Sequence, residues 1–567
     1  MDGCSLSGLT VLEGAQPRRR ELRRESTLDE ADVDVLAKTN QQRQISGESF
    51  TNGTLLAQLA SEHCEAFRKL FRGKRDFVPA REITIGSACT GSSSEVAAAY
   101  YFEKAIKEVS DRGFRIKPLF SCDIREEKRK WIQGVHKAFA SGSASGQGES
   151  SGPCVFIDIA DLGSTMAPCA THGCKCQVPQ CCIFVCCTSC KYFSRMSPPP
   201  QSSSGTGLVL LDPTSPGGSA QTFHGMLAYL SWARPAILIF ENVEAINDVD
   251  ATADVSNMDI ILAELAARGY ECQQMTGDAS RYGAPQKRMR VYVIAVLAVA
   301  NSQFDFLQRS IQDTFKTLRS LIKVCTRSPP CASEVIYSGS DSRVESWLQV
   351  RRQQQGNRKL NCYSMDKAIT HAVLNGVSWS SIQPPERLKS SPWFHTLSAQ
   401  QKQVAAYSLC TDTAPVLFRD ISQSCGRVRC SMFGDARQHL SFTVTPAQVA
   451  LVFKDNETPR LLLGEEAMLL QGFPIAAVSD LVKNTANHVI ADLAGNMVAV
   501  PVLLVLLMAA VACVDWRDGD VDEEGQRLAE SGDASEIDAA WFAFGLLVKA
   551  GHNKPDEGPA RKRIKFC

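Results

Sequence analysis

Between residues 82 and 297 the chain alternates short apolar runs with longer amphipathic stretches. EITIGSA is followed by EVAAAYYFEKAIKEV and KPLFSCDI by REEKRKWIQGVHKAF; then come CVFIDIADL, CCIFVCC, ARPAILIFENV and MRVYVIAVLAV. Apolar runs this short, bounded by turn residues, read as strands buried on both faces, and the stretches between them read as crossover helices. Strands linked by helices must lie mostly parallel, which predicts an α/β fold with a doubly wound sheet. Open sheets of this kind gather their functional groups just beyond the carboxyl ends of the strands. Two chemically capable residues fall there: Cys190, in the run IFVCCTSCKYFS, and Glu241, which follows AILIF.

The 567 residues are 44% hydrophobic, enough for one large domain and a smaller one. The 22 cysteines follow an N-terminus whose charge comes after a weak apolar stretch, unlike a secretory signal, so free thiols in a reducing compartment are expected. Residues 497 to 514 (MVAVPVLLVLLMAAVACV) form an uncharged run of 18, at the lower limit for a membrane span. Pro501 suits a helix start and no basic flank anchors the run, so a buried core helix is expected and no membrane association.

Residues 1–80 read as a basic and polar tail with one docking helix from Leu55 to Phe71, where Leu55, Leu59, His63, Phe67 and Phe71 recur at helical spacing. The domain from 81 to 300 holds the alternating pattern and is interrupted by serine-rich loops at 141–153 and 197–207. From 301 to 457 the sequence turns polar and rich in Gln and Arg. Over 301 to 460 there are 20 basic against 12 acidic residues, a balance suited to a polyanion. The pattern PRLLLGEEAMLLQGFP then marks a return to the first domain over 458–514. The tail from 515 to 567 is acidic and then basic, ending in RKRIK (Arg561 to Lys565), which reads as a nuclear-import patch.

In order, CTSCKYFS, FENV, YGAPQKRMRVYVIA, PRLLLGEEAMLLQGFP and LAGNMVAVPV resemble the ordered motifs of the C5-cytosine DNA methyltransferases, over about 82 to 513. The resemblance implies a Rossmann-like, S-adenosylmethionine-dependent catalytic core with a smaller target-recognition domain at 301–457, acting on double-stranded DNA in the nucleus. C5 of cytosine is not nucleophilic until a group adds at C6, and a thiolate both attacks and leaves well. Cys190 is the implied nucleophile, with Arg288, Arg290 and Lys191 as candidates to favour its thiolate. Glu241 is implied to protonate the ring at N3, and Arg290, more loosely Arg288, to hold the O2 side. A base in a duplex must be flipped out to reach them. For the cofactor, the resemblance implies Gly86 and Gly91 in the first turn, Asp123 for the ribose hydroxyls, Asp158 for the adenine amine, and Asn496.

Three features stand apart from that pattern. The family's Gly-Pro-Pro-Cys is replaced by Cys187-Thr188-Ser189-Cys190, losing the proline that stiffens the nucleophile loop. Serines stand at 92 to 94 where glycines are usual. Cys169, His172, Cys174 and Cys176 (CATHGCKC) have a spacing unlike the usual zinc CxxC pairs, with Cys181 or Cys182 as further donors. A loop of free thiols and no metal is the expectation there. Three alternative functions remain: a catalytically inactive DNA-binding regulator on the same fold, favoured by the first two departures, a tRNA cytosine-5 methyltransferase, and a thiol-rich metal-binding scaffold, separable by metal content. The shorter insertion and Cys-Phe-Thr signature of the tRNA enzymes are not found. The sequence identifies no protein partner.

Overall fold

The computed structural model describes residues 28–72, 76–110, 113–140, 152–193, 208–211, 218–250, 254–298, 310–355, 386–411, 416–422, 430–432, 440–454 and 458–516. The RKRIK patch, the 197–207 segment and all but the last two residues of 141–153 lie outside them.

The apolar runs form the strands β1 (Glu82–Ala88), β2 (Arg115–Cys122), β3 (Cys154–Phe156), β4 (Ile183–Cys186), β5 (Ile237–Val243) and β7 (Met289–Leu297). One further strand, β6 (Tyr270–Asp278), was not expected. It is an edge strand, only partly buried along YECQQMTGD, so it lacks the continuous apolar run that marks the others. The sheet order is β3-β2-β1-β4-β5-β7-β6. Strands β1 to β5 pair in parallel, while β7 runs antiparallel between β5 and β6. This is the mostly parallel α/β sheet that the alternation predicts. Its order reverses between β1 and β4, the switch point beside which open sheets bind ligands.

Successive strand residues point to opposite faces, and both faces are packed. Ile183, Val185, Ile237 and Ile239 enter one core, while Phe184, Cys186, Leu238 and Phe240 enter the other. Against the first face lie α1 (Glu30–Gln42), α2 (Leu55–Phe71), α3 (Ser94–Val109), α4 (Glu126–Ala140) and, later in the chain, α7 (Ile311–Val324). The second face carries α5 (Ser219–Ala233) and α6 (Asn257–Ala267). Helix α2 has the expected bounds, and Leu55, Leu59, His63, Phe67 and Phe71 are all buried, the helix packing against α3.

The long apolar run becomes the last described helix, Val500–Cys513, every residue of which is buried. It packs against α2, α3 and α7 and has Pro501 in its first turn, where the missing N–H costs nothing. No single described helix is long and apolar enough to cross a membrane. Beyond α7, four short antiparallel strands at Val416–Asp420, Cys430–Met432, Ala450–Val452 and Arg460–Leu461 make a small second sheet. It is joined to the main body by a buried pair in the PRLLLGEE motif. Arg460 donates to both carboxylate oxygens of Glu466 at 2.9 and 2.7 Å, and Glu466 also accepts from the backbone of Leu463 and Tyr337.

Candidate active site

The carboxyl ends of β1 to β5 place Cys89, Asp123, Asp158, Cys190 and Glu241 along one edge of the sheet. Cys190 sits in the loop after β4 and is partly exposed. Four bonds from neighbouring elements hold the loop where a proline is absent. Asn242, at the end of β5 and buried, donates through Nδ2 to both the carbonyl and Oγ1 of Thr188, each at 3.1 Å. Its Oδ1 accepts from the N–H of Val243 at 2.8 Å, which fixes the amide orientation. At the start of α5, Thr222 Oγ1 accepts from the Ser189 N–H at 2.9 Å and Ser219 Oγ donates to the Ser189 carbonyl at 2.7 Å. The Ser189 N–H is the group that proline would lack, so this loop gains by bonding the stiffness that the ring supplies by covalent geometry.

Glu241 and Arg290 are brought together by register. Antiparallel pairing sets Glu241 opposite Tyr292 and Val243 opposite Arg290, and the period of two puts Arg288 and Arg290 on the face that Glu241 shares. Arg290 Nε lies 3.1 Å from Glu241 Oε1. Arg288 is buried, with its two terminal nitrogens bonded to the backbone and its Nε without a partner among the described residues. It donates to the carbonyls of Val444 (3.0 Å), Met497 (2.8 Å) and Gly495 (3.4 Å), tying the second sheet and the C-terminal return to β7.

The electrostatics at Cys190 run opposite to the expected lowering. Burial pushes the thiol above its ordinary range and the Glu241 charge pushes further, while Arg290 and Arg288 pull down without prevailing. Lys191 is exposed. Desolvation and a neighbouring carboxylate both disfavour a thiolate, so the resting group is a protonated thiol.

On the strand next to β4, the turn from β1 into α3 is strained. Cys89 and Ser93 have φ of 60° and 58°, left-handed values unusual for side chains other than glycine, and Gly91 has 74°. A Cβ on Gly91 would stand 3.5 Å from Asn496, so Asn496 does pack on this turn. Gly86 does not lie in the turn. It is inside β1, where a Cβ would overlap the Phe120 ring at 2.3 Å, so its role is packing. Ser93 Oγ and Glu95 Oε2 are buried beneath the turn with no hydrogen-bond partner among the described residues, and such orphaned polar atoms call for a partner. Burial raises the Glu95 carboxyl above the usual range despite bonds from Ser87.

Asp123 is buried beyond β2, its carboxyl raised mainly by desolvation, and accepts from the Arg125 N–H at 2.9 Å. Next to it Ile124 is 68% exposed, an apolar side chain beside a polar cradle. Asp158 follows β3 and caps a short 3-10 turn, one carboxylate oxygen accepting from the Ala160 N–H at 3.0 Å. A strained turn at a helix N-terminus, two orphaned polar atoms, two strand-end carboxylates and an exposed isoleucine suit a ligand with a charged end, hydroxyls and a flat apolar base. The sequence reading assigned no role to Asn242, Ser219, Thr222, Glu95 or Ile124. Only Asn242 carried a signal, its place in the FENV motif; the others act through tertiary neighbours.

The model of the C-5 cytosine-specific DNA methylase family matches residues 197–510, a span that starts beyond Cys190 and includes Glu241, Asn242, Arg288, Arg290 and Asn496. The DNA (cytosine-5-)-methyltransferase DMT5 of Cryptococcus neoformans is 23% identical over 480 residues, covering 79% of this chain and 18% of its own. The type II methyltransferase M.MspI of Moraxella is 32% identical over 84 residues, 15% of this chain and 19% of that one. The chain thus spans about a fifth of the length of these curated relatives. The crystal structure of the S. pombe Dnmt2 methyltransferase aligns over 76% of this chain and 98% of that one, at 13% identity and a TM-score of 0.36.

Proposed function

Because the chain belongs to the C-5 cytosine-specific DNA methylase family, we propose that it transfers a methyl group from S-adenosylmethionine to C5 of cytosine in DNA. The observation that carries this is the convergence of Cys190, Glu241 and Arg290 at one sheet edge, with Asn242 holding the nucleophile loop. Cys190 adds to C6 of the ring, making C5 electron-rich. Glu241 meets the developing charge at N3, and Arg290, already paired with it, fixes the orientation of that carboxyl group. Because the resting thiol is protonated, its attack moves one proton from sulfur to N3; after C5 takes the methyl group it loses its own proton to solvent, and the C6–S bond breaks to release the Cys190 thiolate and restore the ring.

The turn from Cys89 to Ser94, with Glu95 below it and Asp123, Ile124, Asp158 and Asn496 around it, is the place that would hold S-adenosylmethionine. When bound there, that cofactor supplies an electrophilic methyl group on a sulfonium. Asp123 and Asp158 would take hydroxyls and the adenine amine, and Ile124 would cover a face of the base. The excess of cations over 301–460 favours phosphate contacts, and we take the substrate to be double-stranded with its target cytosine flipped out. Nuclear residence is part of the same proposal and rests on the basic patch Arg561 to Lys565 alone.

The test is transfer of labelled methyl from S-adenosylmethionine to unmethylated duplex, hemimethylated duplex and tRNA, with wild type and Cys190→Ala. Label recovered as 5-methylcytosine in DNA and abolished by the substitution supports the reading. Transfer only to tRNA, or none from folded protein that still binds DNA, overturns it.

A further inference from the structure

A second cluster of nucleophilic side chains lies at the far edge of the sheet. Cys154 opens β3, and Cys169, His172 and Cys176 come from a hairpin whose strands, Met166–Pro168 and Lys175–Gln177, pair beside it. His172 Nδ1 lies 3.5, 3.3 and 3.3 Å from the sulfurs of Cys154, Cys169 and Cys176, and the four donor atoms are all within 4.8 Å of one another. One imidazole nitrogen has one lone pair or one proton, so it can hydrogen-bond to one of three thiols and not to all three. Three sulfurs crowded around one nitrogen are explained by a shared centre.

The geometry points to a structural zinc site made of Cys154, Cys169, His172 and Cys176. In a tetrahedral site with Zn–S of about 2.3 Å and Zn–N of about 2.05 Å, sulfur and nitrogen stand roughly 3.6 Å apart. The three measured separations lie within a few tenths of an ångström of that edge. The backbone is shaped to match: Cys169 N–H donates to the Cys174 carbonyl at 2.9 Å, and Gly173 N–H to the Cys169 carbonyl at 3.0 Å, with Gly173 at φ 68° turning the chain. The ligand set differs from the sequence reading. Cys174 is exposed and outside the four, and Cys154, fifteen positions upstream of Cys169, takes its place. Cys181 and Cys182 are engaged elsewhere, with Tyr229 and Thr84.

The site staples the edge of the sheet. Strand β3 has only three residues, and the hairpin bonds to it through Ile157 N–H to the Pro168 carbonyl at 3.2 Å and Ala170 N–H to the Val155 carbonyl at 2.7 Å. Asp158 follows directly. Zinc therefore positions the strand end that carries Asp158, a consequence that rests on the cofactor reading above, whereas metal binding itself does not.

Full-length protein purified with reductant and without chelator, then incubated with zinc and desalted, is expected to carry one zinc per chain by elemental analysis. Cobalt in its place should show the thiolate charge-transfer absorption and intense visible bands of a tetrahedral sulfur-rich site. Cys154→Ser should lose the metal and Cys174→Ser keep it. Absence of bound zinc and of the cobalt spectrum in folded wild type overturns the assignment, as does loss of metal in Cys174→Ser with retention in Cys154→Ser. Since the cobalt spectrum is read on the wild type, a misfolded variant cannot mask the answer. A zinc-loaded chain without methyl transfer would refute the proposed function and leave this site standing.

Discussion

Replacing Asn242 with aspartate inverts one contact and spares its neighbours. The new carboxylate would still accept from the Val243 N–H, but the amide that donates to the Thr188 carbonyl and hydroxyl would become an acceptor. The Thr188 hydroxyl can rotate to donate to that carboxylate. Its carbonyl cannot, and is left buried against a like partial charge. An orphaned buried acceptor costs about 1–3 kcal/mol, and one lost bond adds about 1 kcal/mol, giving roughly 2–4 kcal/mol. If the loop relieves this by moving, Cys190 is displaced, and at 1.36 kcal/mol per decade kcat should fall about 30- to 1000-fold. Binding of S-adenosylmethionine, measured by calorimetry, should be unchanged because Asn242 touches nothing in the cofactor turn. Thr188→Val removes only the hydroxyl acceptor and should cost about 1 kcal/mol, roughly fivefold in kcat. Methyl-transfer kinetics with urea unfolding run in parallel separate catalytic from global effects. Asn242→Asp retaining kcat within about threefold of wild type, or matching Thr188→Val, would refute the argument that Asn242 holds the nucleophile loop.

The raised thiol of Cys190 predicts that its alkylation by iodoacetamide, followed on the Cys190 peptide by mass spectrometry, accelerates with pH and reaches its midpoint above the free-thiol value of about 8.5. Glu241→Gln should move that midpoint down and Arg290→Met should move it up; a wild-type midpoint at or below about 8.5 would contradict the assigned electrostatics. Asp158→Asn keeps an oxygen to cap Ala160 and removes the charge, so it should weaken S-adenosylmethionine binding by about tenfold or more, with Ile124→Ser costing about tenfold through lost apolar cover. Unchanged dissociation constants in both would move the cofactor elsewhere. Arg460→Met strands the buried Glu466 carboxylate and should lower unfolding free energy by about 3–5 kcal/mol in urea, while Arg460→Met with Glu466→Gln, which removes the charge and keeps an acceptor oxygen for a backbone N–H, should recover part of it. A double-variant loss equal to the sum of the two single-variant losses would show that the pair carries no coupling.

What the sequence disclosed follows from range. Strands β1, β4, β5 and β7 were legible because they are largely buried on both faces, which leaves a continuous apolar run in the chain itself, and β2 was legible from its buried end, Phe120 to Cys122. The face of α2 was legible because 3.6-residue periodicity puts Leu55 and Phe71 on one stripe. Edge strand β6 was hidden, since half-exposed residues such as Gln273 and Gln274 keep no apolar signature and owe their conformation to pairing with β7. Helix α1 was missed for the same reason: of its thirteen residues only Val33, Ala37 and Asn40 are buried. In the site, strand-end residues could be named from motifs, but their couplings could not. Nothing local to Arg288 indicates that it will reach the carbonyls of Val444 and Met497, nor to Cys154 that it will meet a hairpin fifteen residues on.

The nucleophile loop shows why a missing motif residue is a poor measure of a missing function. A proline before the cysteine would lower the entropy of the loop in every state of the chain, folded or not. Thr188 and Ser189 restrain it only once β5 and α5 are in place, through bonds to Asn242, Ser219 and Thr222. The two solutions restrain the folded loop alike and differ in what maintains the restraint. Here the rigidity of the nucleophile depends on the packing of α5 against the sheet. Loosening the α5 N-terminus should therefore disturb Cys190 as directly as a change within the loop, and Thr222→Val, which leaves the Ser189 N–H without its acceptor, is the substitution that separates this chain from one with a proline there. It should lower kcat several-fold, by about the 1 kcal/mol that one such bond contributes, and Ser189→Pro in that background should restore part of the loss, because the proline removes the orphaned donor. No recovery in the double variant would mean that the bond to Thr222 aims the loop rather than stiffening it.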